Sequence, residues 1–209
     1  MGTNEAWSAQ TRLSGEHVTL EPLSRAHADG LRAALAGGEL AKLWYTNVPA
    51  PEGVDGYIDA ALAMRDRGQA WPYAVLDAQG DVVGSTRYYD LDAQVPRLQI
   101  GYTFYAPRVQ RTGLNTQAKL LLLQHAFEGL GCIAVGFETS WFNLASRTAI
   151  ARLGAKQDGV LRNHRRHADG SPRDTVAFSI IDTEWTAVKR NLQYKLARHA
   201  AAAEGTDHG

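Results

Sequence analysis

Pro107-Arg108-Val109-Gln110-Arg111-Thr112-Gly113-Leu114-Asn115 follows an apolar segment, turns at a glycine and leads directly into a long helical pattern. The first N–H groups of a helix have no intrahelical acceptor, and the helix dipole adds positive potential beside them. Such a turn attracts an anion, typically a phosphate, without a lysine in the loop. A small residue at Gly113 would let the ligand approach the main chain closely. Because glycines also precede helices in plain connections, the interpretation depends on the surrounding elements.

These surrounding elements predict an α/β (α+β) fold in a single layered domain. Apolar or alternating runs predict strands over residues 17–23, 73–77, 82–89, 98–105, 132–139, 160–167 and 175–181. Helical periodicity predicts helices over 24–35, 55–67, 116–130 and 143–153, and a last helix that presents Trp185, Val188, Leu192 and Leu196 on one face. Strands joined by tight turns pair antiparallel, whereas the segment from 98 to 139 predicts a strand–helix–strand crossover.

Length and composition limit the function classes. The 209 residues suit one domain, and the 22 basic and 22 acidic side chains cancel, so no global charge indicates nucleic acid or an anionic membrane. The single cysteine, Cys132, excludes an internal disulfide, and no apolar run approaches the roughly 20 residues of a membrane span. We therefore expect a cytoplasmic protein with a flexible leader at residues 1–15, one folded domain at 16–198 and a flexible tail at 199–209.

Four short motifs, taken in order, carry a resemblance to a known superfamily. They are Ile100-Gly101-Tyr102, Gln110-x-x-Gly113, Asn143-x-x-Ser146, and an Asp169-Gly170 hairpin turn followed by Arg173-Asp174-Thr175. In this order and spacing the chain resembles the GCN5-related N-acetyltransferases (GNAT). It looks most similar to the bacterial branch that includes the ribosomal-protein N-terminal acetyltransferases (RimJ/RimL type). The resemblance covers roughly residues 16–192 and implies a mixed, mainly antiparallel sheet of about seven strands with helices on both faces.

The resemblance also implies acetyl-coenzyme A (acetyl-CoA) as donor and an amine as acceptor. It implies that the pyrophosphate binds the turn formed by Gln110, Arg111, Thr112, Gly113, Leu114 and Asn115, where Asn115 replaces the second Gly or Ala of the family. Two adjacent parallel strands are expected to splay apart around the pantetheine arm. An amide of Thr103 or Phe104 would then hold the thioester carbonyl and its developing oxyanion. Asn143 would bond the arm or the acceptor.

Both usual acid–base positions of the family hold other residues in this chain, namely Gln99 and Ile150. We consider two substitutes: Ser146 as a donor to the departing sulfur, and Glu138 as a base acting directly or through water. A helical serine can equally bond a local backbone group, and Glu138 can be a solvated or salt-bridged strand carboxylate. Direct attack requires no covalent enzyme intermediate, so we expect Cys132 to be a buried structural thiol, and we predict no metal site.

Aromatic residues and a basic run are the candidate acceptor contacts. Trp44 lies in the loop between the first two predicted helices, and Tyr102 follows Gly101, but plain packing explains either residue as well. The run Asn163-His164-Arg165-Arg166-His167 can bind an acidic acceptor, the 3′-phosphate of the cofactor or RNA. The simpler alternative is a solvated hairpin whose charges pair with Asp169 and Asp174.

Three function classes follow. The leading hypothesis is an acetyltransferase acting on a primary amine, either a protein N-terminus or a small molecule. A non-catalytic acyl-CoA-binding module or sensor is the alternative, because Gln99 and Ile150 occupy the usual acid–base positions. Nucleic-acid binding is the weakest of the three. The edge strands and the apolar face of the last helix are compatible with a homodimer.

Overall fold

The computed structural model describes residues 6–37, 40–167 and 169–204. Its strands are β1 Leu13–Ser14, β2 Val18–Pro22, β3 Ala70–Asp77, β4 Val82–Asp92, β5 Arg97–Tyr105, β6 Ala134–Ser140, β7 Lys156–Arg166 and β8 Pro172–Ile181. Its helices are α1 Ala28–Leu35, α2 Val54–Asp66, α3 Leu114–Gln124, α4 Leu144–Leu153 and α5 Asp182–Glu204. None of the helices in these ranges combines the length and the apolar character that a membrane span requires.

The eight strands form one mixed sheet in the order β1-β2-β3-β4-β5-β6-β8-β7. Only β5 and β6 pair in parallel, and the other neighbours pair antiparallel. The α/β (α+β) fold is therefore confirmed, with eight strands instead of about seven. The additional strand is β1, whose Leu13 pairs with Leu20 of β2.

The segment before residue 16, predicted to be a leader, contacts the domain in its described part. The Trp7 indole N–H donates to the Leu130 carbonyl at 3.0 Å, and its ring centroid lies 6.4 Å from that of Trp71. Packing of the half-buried Trp7 ring on the core and pairing of β1 fix this segment on the domain. The ends of the predicted leader and tail, residues 1–5 and 205–209, lie outside the described residues, as does Ala168 in the predicted hairpin turn.

Side chains from both faces of the sheet form the core. One cluster joins α3, α4 and α5 to the sheet through buried residues such as Leu122, Ile150, Leu192 and Val135. A second cluster joins α1 and α2 to the opposite face through residues such as Leu31 and Ile58. This two-sided burial confirms helices on both faces.

The helix after the turn differs from its predicted span of 116–130. It begins at Leu114, and after Gln124 it continues as a π-helical turn over His125–Gly129. The N–H of Leu130 then donates to His125, and Gly131 adopts a φ of 68° that favours glycine. These features end the helix and start the approach to β6.

The pairing of β5 with β6 is short. It comprises Arg97↔Ala134, Leu98↔Val135 and Gln99↔Gly136, so the two strands separate beyond Gln99 and Gly136. On its other edge β5 stays with β4 as far as Gly84↔Tyr105. Likewise β6 stays with β8 over its whole length. The outer neighbours therefore hold the two strands apart and create a wedge between them.

Gly84 permits the close approach of β4 to the end of β5. An alanine Cβ at this position would lie 2.1 Å from the backbone oxygen of Phe104. We predict that Gly84→Ala lowers the free energy of unfolding by about 1–3 kcal/mol, because the backbone has to move. Urea denaturation measures this change.

The matched control is Gly56→Ala in α2, where a Cβ meets no atom within 4 Å. This exchange should raise the free energy of unfolding by about 0.5–1 kcal/mol, because alanine loses less conformational freedom in a helix. Equal effects of the two exchanges would contradict the close approach at Gly84.

Candidate functional site

A cleft of about 450 Å³ occupies the wedge between β5 and β6. One wall consists of β5 residues from Ile100 to Tyr105, and the opposite wall consists of β6 residues from Phe137 to Ser140 followed by residues of α4. Gln110 and Asn115 of the turn reach the same space. The structure therefore brings together three of the four motifs found in the sequence, and the fourth contributes Arg173.

The turn before α3 has the free donors that an anion requires. In the described part of the chain, the N–H groups of Arg111, Thr112 and Gly113 have no hydrogen-bond acceptor. The Thr112 hydroxyl donates to the Val109 carbonyl at 2.7 Å and accepts the N–H of Leu114 at 3.2 Å. This side chain holds the turn in shape while it leaves consecutive amides available.

Gly113 has a different role from the one expected. Its φ is −66°, an ordinary value, and an added Cβ would lie 3.6 Å from Leu196 and His199 of α5. The small residue thus faces the last helix, and α3 and α5 pack closely there. The left-handed position of the turn is Arg111, with a φ of 63°, which is uncommon for a residue other than glycine.

A β-bulge in β5 shapes the wall opposite α4. Tyr102 and Thr103 both face the single residue Thr86 of β4, between the pairs Arg87↔Gly101 and Ser85↔Phe104. Tyr102 has a φ of 51°. Because pairing with β6 has already ended at Gln99, the main chain of residues 101–105 borders the cleft instead of another strand.

Asn143 and Ser146 lie on the opposite wall. The Asn143 side-chain oxygen accepts the N–H of Ser146 at 3.0 Å and caps α4. Among the described residues no acceptor bonds the side-chain N–H₂ of Asn143, so it remains for a ligand. In the described part of the chain the Ser146 hydroxyl makes no hydrogen bond, although it borders the cleft. Ser146 is thus available to a group bound there.

Glu138 faces the cleft within an ion pair. Its carboxylate accepts a hydrogen bond from Arg165 at 2.8 Å, and its side chain is 12% exposed. Glu138 is therefore a salt-bridged strand carboxylate in this structure, which is the alternative that we considered from the sequence. The Glu138 carboxylate is thus engaged by Arg165.

The remaining candidate acid–base positions carry no proton for transfer. Gln99 accepts a long hydrogen bond of 3.4 Å from the Tyr89 hydroxyl, and Ile150 borders the cleft as an apolar side chain. Cys132 is buried and does not border the cleft. Burial raises the pKa of its thiol to about 12, so it is a poor nucleophile.

The two candidate acceptor contacts differ in position. Tyr102 borders the cleft, and its ring packs against Tyr89 with centroids 5.3 Å apart. Trp44 does not border the cleft. Instead it stacks edge-on at 4.8 Å to the ring of His167 and is 53% exposed. The Trp44 ring also lies 5.1 Å from that of Phe142, and its neighbour Tyr45 borders the cleft instead.

The basic run before the hairpin turn is partly paired. Arg165 binds Glu138, and Arg166 donates to the Gly170 carbonyl at 2.7 Å. Asp174 accepts from Arg162 at 2.6 Å, just before the run. Asp169 bonds Ser171 within its own turn instead of a basic residue. Of these two ion pairs only Arg162–Asp174 lies within the hairpin, so the expected pairing is found at Asp174 and not at Asp169.

Lys119 is a cleft residue that the sequence analysis missed. It is 6% exposed, and its ammonium donates to the hydroxyls of Thr103 at 2.8 Å and Thr86 at 3.2 Å. Burial lowers the pKa of the ammonium to about 7. The available signal was its position one helical turn after Asn115, within an otherwise apolar run, which places it on the inward face of α3.

We predict that this buried amine makes stability depend on pH. Because the folded-state pKa lies below the ordinary value of 10.5, the unfolded chain binds the proton more tightly. The free energy of unfolding of the wild type should rise from about pH 7 upward, by at most about 1.4 kcal/mol per pH unit. This contribution should be absent from Lys119→Met. Urea titrations at pH 6, 8 and 9.5 measure the difference, and a constant difference between the two proteins would contradict the buried charge.

Comparisons with known proteins agree with this geometry. A family model described as the acetyltransferase (GNAT) domain matches residues 17–156. The chain is 24% identical over 174 residues to the uncharacterized N-acetyltransferase YoaA of Bacillus subtilis (strain 168), covering 81% of this chain and 96% of that protein.

Solved structures show the same fold. A GCN5-related N-acetyltransferase from Brucella melitensis matches with a TM-score of 0.81 at 29% identity over 90% of this chain and 86% of that chain. Mycobacterium smegmatis RimJ in complex with CoA-disulfide matches with a TM-score of 0.72 at 18% identity, over 88% of this chain and 93% of that chain. Since the family model covers well over half of its length, the chain belongs to the GNAT acetyltransferase family.

Proposed function

We propose that this acyltransferase moves the acetyl group of acetyl-CoA to a primary amine, on a protein N-terminus or a small molecule, by direct attack in a ternary complex. The observation that carries the proposal is the wedge between β5 and β6, together with a turn whose Gln110 and Asn115 border the wedge and whose described amides at residues 111–113 are unbonded. We further propose that residues 16–198 form the catalytic domain and that it works in the cytoplasm, which a single free thiol supports.

The residues present fit acetyl-CoA. The turn from Gln110 to Asn115 offers consecutive N–H donors to a diphosphate, and the Arg111 side chain adds a positive charge. The Tyr105 hydroxyl is buried in the cleft and has no hydrogen-bond partner among the described residues, so a bound group can satisfy it. Acetyl-CoA supplies an activated thioester, and the chain has to bind and orient it.

Main-chain donors of the bulge would stabilise charge on the thioester oxygen. Thr103 and Phe104 lie where β5 has left β6, so their main chain borders the cleft. A fixed amide directed at a developing oxyanion typically contributes about 3–4 kcal/mol to the rate. The hydrogen bonds from Lys119 to Thr103 and Thr86 hold the bulge in place.

Ser146 is proposed as the donor to the departing sulfur. Its hydroxyl borders the cleft without a partner, whereas its backbone N–H is fixed by Asn143. Glu138 remains the proposed base, acting directly or through water when Arg165 shifts to another partner. An acceptor such as an N-terminal amine, with a pKa near 8, is about one tenth neutral at pH 7, a far larger fraction than for a lysine amine, and so depends less on a base.

A ribosomal-protein N-terminus is one candidate acceptor, in line with the RimJ/RimL resemblance. The neighbours that carry this assignment, such as M. smegmatis RimJ at 18% identity, support the fold alone. The alternative is a non-catalytic acyl-CoA sensor. It is favoured by Gln99 and Ile150 at the usual acid–base positions.

The phosphate turn is tested by removing one amide. Gly113→Pro keeps a φ of about −65° but removes an N–H, and we predict that it weakens CoA binding about ten- to a hundredfold. Gly113→Ala keeps the N–H and presents a Cβ in the same place, so it should bind CoA nearly as the wild type does. Isothermal calorimetry gives both affinities. A proline variant with wild-type melting temperature and wild-type affinity would refute the amide contact.

The role of Ser146 is tested on turnover. Ser146→Ala should lower kcat about tenfold or more while the affinity for acetyl-CoA stays the same, since its hydrogen bond forms to a developing charge. The assay measures thiol release from acetyl-CoA with amines found by screening peptides and small molecules.

Ser179→Ala serves as the control, because Ser179 bonds Asp158 on β7 and does not border the cleft. Equal kcat values for Ser146→Ala and Ser179→Ala would remove Ser146 from the mechanism. CoA binding without thiol release across the whole screen would favour the sensor.

A further inference from the structure

The charged side chains around the cleft do not balance. Among the described residues that line it, Lys119, Arg165 and Arg173 are cationic and only Glu138 is anionic. Glu138 already binds Arg165 at 2.8 Å. The cleft therefore carries excess positive charge in a partly desolvated space, where each charge acts more strongly than in water.

Arg173 is the guanidinium of the cleft lining that forms no ion pair with a described residue. Its Nε is buried and has no hydrogen-bond partner, and no carboxylate of the described residues forms an ion pair with its guanidinium. Burial and the like charge of Arg165 lower its pKa. The adjacent Asp174 is turned to Arg162 instead. A half-buried guanidinium in this situation is costly unless a ligand supplies an anion.

Arg87 of β4 adds a further positive charge behind the β5 wall of the cleft. It is 2% exposed, and its guanidinium carbon lies 4.0 Å from the ring centroid of Tyr102 and 5.4 Å from that of Tyr57. Its NH1 contacts the Met64 sulfur, and its Nε has no partner. No carboxylate of the described residues pairs with it. Asp90, whose charge acts on Tyr89, lies at an exposed position.

The Arg87 guanidinium lies on the other side of the sheet from the turn at residues 110–115. Lys119 and its threonine partners lie on the α3 side of the sheet, next to the turn at residues 110–115. Arg87 points to the other side, toward Tyr57 and Met64 of α2. On β6, Phe137 belongs to the α3-side cluster, so its neighbour Glu138 faces the second side, where it binds Arg165. Arg173 lies directly opposite Arg165 in the pairing of β7 and β8 and therefore shares that side.

From this arrangement we infer that the amine acceptor carries an anionic group, a carboxylate or a phosphate, which Arg173 binds with support from Arg165 and Arg87. Calling this ligand an acceptor rests on the proposed acetyl transfer. The anion-binding site itself does not depend on that proposal. The planar guanidinium matches either anion through paired N–H donors. Tyr89 and Tyr102 would flank the body of the acceptor.

Binding of acetylated products to the CoA-saturated protein tests the inference without requiring turnover. Saturation with CoA fills the phosphate turn, so that added anions report on the second side alone. Calorimetry compares N-acetylglycine with N-acetylglycinamide, and N-acetylethanolamine phosphate with N-acetylethanolamine. The two pairs distinguish a carboxylate from a phosphate. We expect the anionic member of at least one pair to bind at least tenfold tighter than its neutral partner.

Two arginine variants and a control locate the effect. Arg173→Gln should reduce this preference at least tenfold and leave the neutral ligands unchanged, whereas Arg173→Lys should keep part of it. Arg166→Gln removes the same charge from the hairpin outside the cleft, where Arg166 bonds Gly170, and should keep the full preference.

Each outcome has a defined meaning. Equal binding of anionic and neutral ligands to the wild type, or the same loss in Arg173→Gln and Arg166→Gln, overturns the inference. Thiol release with neutral amines as fast as with anionic ones also overturns it, while the proposed acetyl transfer would stand. Preferential binding of the anionic ligands without thiol release from any amine would keep the anion site and reject the transfer.

Discussion

The candidate site exists because β5 and β6 pair over only a few residues and then separate. Three pairs join the strands, and beyond Gln99↔Gly136 their facing backbone groups have no strand partner. Unpaired backbone groups inside a sheet are costly unless a ligand or water bonds them. The separation persists because β4 holds β5 as far as Tyr105 and β8 holds all of β6. The core that stabilises the outer strands therefore also keeps the cleft open.

The cleft differs in chemical character between the two sides of the sheet. On the α3 side, free amides and a lysine bonded by threonine hydroxyls suit a phosphate-bearing thioester. On the α2 side, guanidinium groups and tyrosine rings with a single carboxylate suit an acidic amine. A direct transfer needs its two substrates to meet from different directions, because both must reach the carbonyl carbon together. In the proposed mechanism the wedge is that meeting point.

Sequence reasoning located most of the fold, since it depends on local patterns. Hydrophobic periodicity identified the strands from β2 to β8, and the helical pattern after Gly113 identified the turn before α3, which we propose binds the phosphates. It missed properties that arise from tertiary contacts. The bulge at Tyr102 follows from register with β4, the burial of Lys119 follows from packing of α3, and the unpaired state of Arg173 follows from Asp174 turning to Arg162. At its exposed position Trp44 contacts the rings of Phe142 and His167, which are distant in the sequence.

The most direct measurement is a ¹H–¹⁵N NMR titration of the wild-type protein with CoA. We predict that the largest shifts occur at the amides of residues 111–115 and 101–105, and that the amides of β1 and β2 at the far edge of the sheet stay unchanged. Absence of binding, or shifts centred away from these two segments, would contradict the central role of the wedge between β5 and β6.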